Sequence, residues 1–451
     1  VLSLILLALS HTYINQLFDT HLSLQVSFAS IISVLILIIA TGILSGFYPS
    51  LKATRIKLLQ RGNSIIRMGA TKVSLRSIMV LFQFLISIIL ISSALIINSQ
   101  LRFILNKDPG FNRNNIIDLE MSRSCSKHYL SIKEELLKIP SILNVSAANS
   151  SFTSSEKSST AEWQGKQSED KTFFELHPVD FDYLETFDLK IVDGRFFDPG
   201  IQSDQSSAIV INESAARAMD LKDPVGEWLE CYWGNQLRKT EIIGVIRDYH
   251  FESFHKEIKP LFLGIVPWWY NELYIKLDPG SKDYGKIIET ITNTIRSFVP
   301  DYAINYSFLE DELAATYNTE QKAGILVILG AGISILIACI GLLALTSYES
   351  ARRKQELAVR KVYGASNKNI YYLILSQSLA CIILANLLAC PVSLIIMNKW
   401  LQNFEYKIHQ TPWVYILTSI LSMGLVFAVA SSKALKVMQN MPSNSLREIN
   451  G

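Results

Sequence analysis

Three residues of the sequence could together bind a metal ion or transfer protons: Asp248, His250 and His255. They are spaced D-x-H-x-x-x-x-H, and carboxylate and imidazole groups serve both as zinc ligands and as general acids or bases. A lone cluster of this kind is usually structural or solvated. We therefore predict no catalytic residue and no metal site, and metal analysis of the protein would test the alternative of a membrane-tethered enzyme.

The cysteines and the ATPase motifs of the sequence give little further evidence of chemistry. Cys125 and Cys231 lie in a long polar segment and could form a disulfide outside the cell, but two cysteines without informative spacing leave the pairing open. The sequence contains no G-x-x-x-x-G-K-[ST] motif, which forms the phosphate-binding loop of many ATPases. The chain is thus predicted not to be an enzyme and to carry no cofactor of its own.

Long stretches without Asp, Glu, Lys or Arg dominate both ends of the sequence. The charged fraction is 18%, below the roughly 25% of soluble domains. A membrane-crossing helix needs about 20 apolar residues, and all the stretches but the first have at least 25 residues. They predict membrane helices within Thr20–Leu51, Ser77–Leu101, Ala323–Tyr348, Asn369–Asn398 and Ile408–Ser432. The first stretch, Val1–Phe18, is apolar only from Val1 to Leu9 and could be the end of a cut helix or the apolar part of a signal peptide, although no basic residue precedes it. Because Val1 opens inside an apolar run, we expect that the N-terminal part of a longer protein is missing.

Charge predicts the orientation of these helices. Residues 102–321 hold 23 basic and 35 acidic residues, a net charge of −12, whereas the remainder holds 19 basic and 5 acidic residues, a net charge of +14. Lys and Arg concentrate in short cytoplasmic loops of membrane proteins. The loops 52–76 and 352–368 carry seven and six basic residues and are predicted to be cytoplasmic. Alternation then places residues 102–321 outside and the C-terminal tail inside.

The segment 102–321 alternates helix and strand signals and predicts an α/β or α+β domain inserted between two membrane helices. Asn212 is a good N-cap residue for a helix over Glu213–Met219. Isoleucines at helical spacing predict an amphipathic helix over Tyr284–Val299. The other predicted helices are Tyr129–Ile139 and Glu310–Gln321, the latter running straight into the next membrane helix. The predicted strands are Ser207–Ile211, Glu241–Ile246, Leu261–Val266, Glu272–Leu277 and Tyr306–Leu309.

The most informative segment is 350–367, SARRKQELAVRKVYGASN, which lies between two predicted membrane helices on the cytoplasmic side. It resembles the signature of the FtsX/MacB superfamily of permeases, R-x-x-E-(I/L)-x-(I/V)-R-(K/R)-x-x-G-A. The matching positions are Arg353, Glu356, Leu357, Val359, Arg360, Lys361, Gly364 and Ala365. Arg353, Glu356 and Arg360 are spaced to share one side of a short helix, and Ser366 can cap the helix that follows.

The inserted domain carries a second resemblance. The stretches Phe181–Asp198, Ala208–Leu229 and Glu241–Leu261 are similar to the extracytoplasmic domain of MacB-like permeases. The predicted fold is thus an α-helical membrane protein with an inserted α/β (α+β) MacB-like periplasmic core domain. The resemblance to large tandem-unit members predicts four regions. They are the end of a first FtsX-like unit (1–62), the lead-in and first helix of a second unit (63–101), the extracytoplasmic domain (102–321), and a three-helix FtsX-like domain (322–451) that contains the coupling segment 350–367.

The resemblance implies a permease subunit of an ABC transporter in the bacterial inner membrane. ATP and magnesium would bind to a separate MacB/LolD-like ATPase, and the coupling segment would transmit its movement to the outside domain for efflux or release of a peptide, drug or lipoprotein-like cargo. The expected partners also include the lipid bilayer, a periplasmic adaptor or outer-membrane component, and a second copy or tandem unit forming a dimer or pseudo-dimer, but no nucleic acid. The alternative is a non-transporting scaffold or sensor that regulates cell-envelope enzymes; a copurifying ATPase would favour the transporter.

Overall fold

The structure is a computed structural model that describes residues 15, 28, 31–43, 75–152, 158–166, 172–234, 236–352, 360, 363 and 366–439. The chain divides into two units, residues 1–81 and 82–451. In the first unit the described residues form the apolar helix Ile31–Ile43 and the beginning of a second helix at Leu75. Most of the first two charge-free runs, and the predicted boundary between residues 62 and 63, lie outside the described residues.

The described part of the chain contains the following helices and strands. The helices are α1 (Ile31–Ile43), α2 (Leu75–Asn106), α3 (Arg123–Lys127), α4 (Tyr129–Leu136), α5 (Tyr183–Thr186), α6 (Glu213–Ala218), α7 (Tyr284–Phe298), α8 (Leu309–Ala315), α9 (Asn318–Arg352), α10 (Asn367–Leu401) and α11 (Pro412–Gln439). The strands are β1 (Ile116–Glu120), β2 (Ile142–Ala148), β3 (Ser158–Trp163), β4 (Phe173–Pro178), β5 (Ile191–Gly194), β6 (Ala208–Asn212), β7 (Trp228–Trp233), β8 (Gln236–Ile246), β9 (Leu261–Gly264), β10 (Glu272–Leu277) and β11 (Tyr306–Phe308).

Four of the described helices are long and apolar enough to cross a membrane. Their spans are Arg76–Asn106, Asn318–Ala351, Tyr371–Leu401 and Pro412–Ser432, and at 1.5 Å per residue each exceeds the roughly 30 Å of a bilayer core. They coincide with the last four predicted membrane runs, which the structure shows to be helical.

Polar side chains join the four long helices in pairs. The hydroxyls of Ser92 on α2 and Ser393 on α10 are both buried and lie 2.6 Å apart. The amide of Asn386 on α10 donates to Ser422 on α11 at 3.2 Å. Such hydrogen bonds stabilise helix pairs in an apolar environment, where the alternative is an unsatisfied polar group.

One half of the inserted domain, built from both ends of its sequence, is a four-stranded antiparallel sheet in the order β11-β1-β10-β2. Helices α4 and α7 cover one face of this sheet and share a core with it. Ile287, Ile291 and Ile295 of α7 are buried in that core, as the isoleucine spacing predicts.

The other half of the inserted domain is a closed barrel. Strand β7 pairs with both β3 and β8, so that β8, β6, β9, β4, β3 and β7 form a six-stranded ring to which β5 adds at β8. Phe174 and Phe262 stack inside it with ring centroids 4.3 Å apart. Gly264 has no side chain because the Trp233 ring occupies that space, only 2.6 Å from where a Cβ atom would lie.

An aromatic core unites the two halves. Phe111 stacks on Phe152 at 4.3 Å, and Phe152 contacts Phe187 at 4.7 Å. The same core includes Tyr274 of the four-stranded sheet and Leu261 of the barrel. The two halves of the inserted domain therefore pack as one body.

Several predicted elements are confirmed within the inserted domain. Strand β10 has the predicted bounds, and β6 and α7 differ from the prediction by one residue at their ends. The Asn212 side chain caps α6 by accepting from the backbone N of Ala215 at 2.8 Å. Helix α4 ends at Leu136, three residues before the predicted end.

The structure corrects one predicted helix and answers the open question of the disulfide. The segment Glu310–Gln321 is not one helix, because a turn at Thr316 and Tyr317 separates α8 from α9. In this turn the backbone N of Tyr317 donates to the carbonyl of Ala314, only three residues back. Cys125 and Cys231 are free thiols in separate cores, one against the four-stranded sheet and one inside the barrel, so the open disulfide does not form.

Candidate functional site

The predicted coupling segment joins α9 to α10. Helix α10 begins after Ser366, whose side chain accepts from the backbone N of Asn369 at 3.3 Å, as predicted. Of the seven proposed coupling residues, the structure describes Arg360, which is helical and exposed. The other six stay a prediction because they lie outside the described residues: Arg353, Glu356, Leu357, Lys361, Gly364 and Ala365.

The far ends of the same membrane helices contact the inserted domain through a region that we call the junction. It consists of the loop 247–260 between β8 and β9, the last turns of α2, the turn 316–317 before α9, and the loop 402–411 between α10 and α11. Aromatic and aliphatic side chains from all four parts form one buried cluster. The junction is the place where movement of the helices would reach the inserted domain.

Tyr317 lies at the centre of the junction and is 4% exposed. Its hydroxyl accepts from the backbone N of Phe254 at 2.8 Å and from the Ser253 hydroxyl at 3.3 Å. Its ring stacks on His255 at 5.6 Å. These contacts fix the start of α9 to the loop 247–260, and they account for the helix break that the sequence does not reveal.

His255 connects three parts of the junction at once. Its Nδ1 lies 2.7 Å from the Ser253 hydroxyl, and its Nε2 lies 3.3 Å from a carboxylate oxygen of Glu320 on α9. The ring also stacks on Phe404 of the loop 402–411 at 4.4 Å. One imidazole therefore contacts the inserted domain, α9 and the α10–α11 loop.

Helix α2 holds the α10–α11 loop through Gln100, which is fully buried. Its side-chain amide donates to the Tyr406 carbonyl at 2.7 Å, and its amide oxygen accepts from the backbone N of Ile408 at 2.9 Å. At the end of α2 the Lys107 ammonium lies 3.0 Å from the Tyr406 ring centroid, a cation–π contact. Burial lowers the pKa of Lys107.

The three residues that the alternative of a metal or acid–base site would require do not form one site. The Asp248 carboxylate accepts from the backbone N and the hydroxyl of Ser214 at 2.9 and 2.8 Å, and from Arg217 at 2.5 Å, so it is tied to α6. His250 packs on Phe254 in the junction, and His255 has the partners given above. Among the described residues no three His, Cys, Asp or Glu side chains are placed to hold a metal ion.

A cavity of about 290 Å³ opens beside the junction. Phe111, Phe254 and Leu313 are among its apolar lining residues, and Arg113 and Asp311 are among its charged ones. Helix α8 forms one wall. The cavity therefore changes shape if α8 moves relative to the loop 247–260.

Protonation of His250 should destabilise the folded protein in acid. Burial, assisted by the nearby Lys107 charge, lowers the pKa of His250 to about 4. The unfolded chain, with a histidine pKa near 6.5, binds this proton more readily, so the stability is present above about pH 6.5 and is lost as the pH falls toward 4. We expect His250 alone to lower the free energy of unfolding by about 2 kcal/mol between pH 7 and 4.5, which is the difference in this fall between the unmodified chain and His250→Gln. Urea titrations followed by tryptophan fluorescence measure this, and His250→Gln should show a smaller fall; an equal fall would contradict the assignment.

Two family models of known proteins match parts of this chain. Residues 84–284 match the family model of the MacB-like periplasmic core domain, and residues 328–441 match that of the FtsX-like permease C-terminal region. The periplasmic region of MacB from Actinobacillus actinomycetemcomitans is 15% identical and aligns with 47% of this chain and 96% of its own, with a TM-score of 0.34. A permease-protein domain from Porphyromonas gingivalis is 18% identical, with coverages of 44% and 91% and a TM-score of 0.33. The extracellular domain of the noncanonic ABC-type transporter YknZ from Gram-positive bacteria is 16% identical, with coverages of 43% and 100% and a TM-score of 0.31. No curated protein matches the chain.

The chain belongs to the FtsX/MacB-like permeases, which are membrane subunits of the ABC transporter class. Within this class, its inserted domain is a MacB-like periplasmic core domain, and its last membrane helices form the FtsX-like C-terminal region. The family and the fold predicted from the sequence are confirmed. Membership implies, in general, an ABC ATPase as partner and a chain that is not itself catalytic.

Proposed function

We propose that the chain couples ATP hydrolysis on a separate ATPase subunit to movements of its extracytoplasmic domain. The junction is the observation that carries this proposal, because the inserted domain there is packed and hydrogen-bonded to α2, α9 and the α10–α11 loop. Loose tethering by two flexible linkers would transmit no force. The junction gives each displacement of α9 a direct mechanical path to the loop 247–260.

Helix α9 would carry the movement across the membrane in this mechanism. It has 35 residues, so at 1.5 Å per residue it is about 50 Å long. One end meets Tyr317 in the junction, and the other leads into the coupling segment 350–367. An ATPase that binds the coupling segment and pushes it would tilt α9 and α10 together and move the inserted domain.

The chain would work in the bacterial inner membrane with the inserted domain outside. A periplasmic adaptor or outer-membrane component, and a second copy or tandem unit, belong to the same proposal. The exposed side chains of Tyr232, Leu237 and Trp268 give the barrel an apolar surface for such contacts. The cargo would be a peptide, drug or lipoprotein-like molecule that is exported or released by movement of the domain.

Substitutions in the coupling segment test the proposal. Glu356→Ala and Arg360→Ala should lower the stimulation of the partner ATPase by this chain about tenfold, a loss of roughly 1.4 kcal/mol in coupling. Lys368→Ala is the matched control, because Lys368 is an exposed basic residue just beyond the segment. The ATPase rate of the assembled complex in lipid is the measurement.

Two outcomes would contradict the proposed function. Unchanged stimulation in both coupling variants would show that force enters elsewhere. Absence of any copurifying ATPase would favour the scaffold or sensor that regulates cell-envelope enzymes.

A further inference from the structure

Three carboxyl groups come together where the four-stranded sheet meets α8. Asp118 lies on β1, Glu272 on β10 and Glu312 on α8. In the register of the two strands, Glu272 is opposite Glu120 and Asp118 is opposite Tyr274. Like charges on facing positions repel, so this arrangement is stable only where protons neutralise part of the charge.

Asp118 has the least contact with water. Its residue is 4% exposed, and no N–H or hydroxyl group of the described residues donates to either carboxylate oxygen, because its polar neighbours are the Glu272 and Glu312 carboxyls. An ionised carboxylate without donors is strongly disfavoured in such a position, and the group keeps its proton instead. Burial, with the adjacent Glu272 and Glu312, raises the pKa of Asp118 well above its usual range.

Glu272 is less deeply placed and titrates near neutrality. Burial raises its pKa to about 7, and the charges of Glu312 and Glu120 act in the same direction. A hydrogen bond with Asp118 acts in the opposite direction, as expected if the Asp118 proton is shared. The cluster therefore changes its charge within the pH range of ordinary surroundings.

The other described titratable groups that act on Asp118 and Glu272 do not neutralise these two carboxyls. Tyr183, Tyr274 and Tyr302 face the cluster, and burial raises the pKa of each, so they are neutral. Among the described residues, none of the groups that shift the pKa of Asp118 or Glu272 is basic. The Glu312 carboxylate accepts from the Ser151 and Ser307 hydroxyls, which orient it without adding charge.

The position of Glu312 links the cluster to the membrane. Helix α8 begins at the buried Leu309, which belongs to the aromatic core. It ends at the turn that holds Tyr317, and α9 begins directly after that turn. The closeness of α8 to β1 is therefore set within one helical turn of the junction.

We propose that Asp118, Glu272 and Glu312 form a shared-proton latch that holds α8 against β1 and releases it as the surroundings become alkaline. With the protons in place, the carboxyls hydrogen-bond to each other and α8 stays seated. When Glu272 loses its proton, adjacent negative charges push Glu312 and α8 outward. The effect of release on transport rests on the proposed function, whereas the latch itself does not.

The direction of the pH effect follows from the raised pKa values. The closed latch binds more protons than the open one, so its stability is fully present below about pH 5 and is lost as the pH rises through about 7. This is opposite in sign to the effect of His250, and it lies at higher pH.

Hydrogen exchange of the full chain in lipid nanodiscs tests the latch without an ATPase. We expect the protection of the peptide 309–317, corrected for intrinsic exchange, to fall at least about tenfold from pH 5.5 to pH 8, because a proton bound with a pKa near 7 in the closed state and an ordinary Glu pKa in the open state stabilises the closed state at pH 5.5 and is lost by pH 8. Glu272→Gln keeps a hydrogen-bonding side chain without titrating, so the fall should shrink to less than about twofold. Asp118→Asn is a second variant of the same kind, with the same expected result.

Glu289→Gln, an exposed change on α7, is the matched control and should keep the tenfold fall. Protection that is equal at both pH values in the unmodified chain would overturn the latch. A full tenfold fall in Glu272→Gln would overturn it as well. Since no nucleotide is involved, failure of the latch and failure of the proposed function are distinguishable.

Discussion

Tyr317→Ala should disconnect the inserted domain from α9 while leaving the inserted domain folded. The substitution removes a buried ring and with it the hydroxyl that accepts from the backbone N of Phe254. Loss of a large buried aromatic side chain costs about 3–5 kcal/mol. The three cores of the inserted domain do not include Tyr317, so the cost should fall on the junction.

Hydrogen exchange measures this local loss directly. Protection of the loop 247–260 should fall about 10²- to 10⁴-fold in Tyr317→Ala, since local opening becomes easier by that free energy, while protection of the barrel strands is kept. Tyr317→Phe isolates the hydroxyl and should cost about 1–3 kcal/mol, because it leaves a buried N–H unsatisfied.

Tyr232→Ala is the matched control for the truncation, because Tyr232 is 52% exposed on the barrel. It should leave the loop 247–260 unchanged. If Tyr317→Ala gave no more exchange in this loop than Tyr232→Ala, the junction would not be a mechanical connection. ATPase stimulation in the assembled complex should fall more in Tyr317→Ala than in Tyr317→Phe.

The sequence predicted correctly those elements that depend on residues only a few positions apart. The isoleucine spacing of α7 and the capping residue Asn212 act within a few positions, and the structure places them as predicted. The membrane helices were equally accessible, because uninterrupted apolar length is a property of a single segment.

The junction was not predictable because its residues are far apart in sequence. Gln100, Phe254, Tyr317 and Phe404 come from four segments, and no spacing rule relates them. The segment around Tyr317 has good helix-forming residues, so local preference favours a continuous helix; tertiary contacts of the tyrosine override that preference. Aromatic residues near the outer ends of the charge-free runs, among them Tyr317 and Phe404, were the one sequence feature that pointed to contacts there.

Closure of the barrel was hidden for a similar reason. It depends on β7 pairing with β3 as well as β8, where Ala161 is opposite Cys231 across 70 positions of sequence. The alternation of short strands suggested an α/β domain but not which strands would pair.

A buried ion pair connects the two halves of the inserted domain. Asp180 follows β4 of the barrel, and Lys133 on α4 lies 2.5 Å from its carboxylate. The carboxylate also accepts from the Tyr129 and Ser146 hydroxyls. Asp180 is 2% exposed, so its charge depends on these partners.

Lys133→Met should therefore destabilise the inserted domain by about 3–5 kcal/mol at pH 8, because it leaves a buried carboxylate without its cation. The double variant Lys133→Met with Asp180→Asn should recover much of that loss, since neither charge is then buried. Burial already raises the pKa of Asp180 despite the lysine, so in Lys133→Met the carboxyl gains a proton as the pH falls and the penalty should be smaller at pH 5. Urea titrations of the full chain in detergent measure these differences, because five of the seven tryptophans lie in the inserted domain.

Lys138→Met is the matched control for the loss of the lysine charge. Lys138 pairs with Glu135 at 2.6 Å, but both side chains are exposed, and exposed pairs contribute about 0–1 kcal/mol. The contrast between the two lysines isolates the effect of burial, because the chemical change is the same. If Lys133→Met were no more damaging than Lys138→Met, the two halves would be held together by the aromatic core alone.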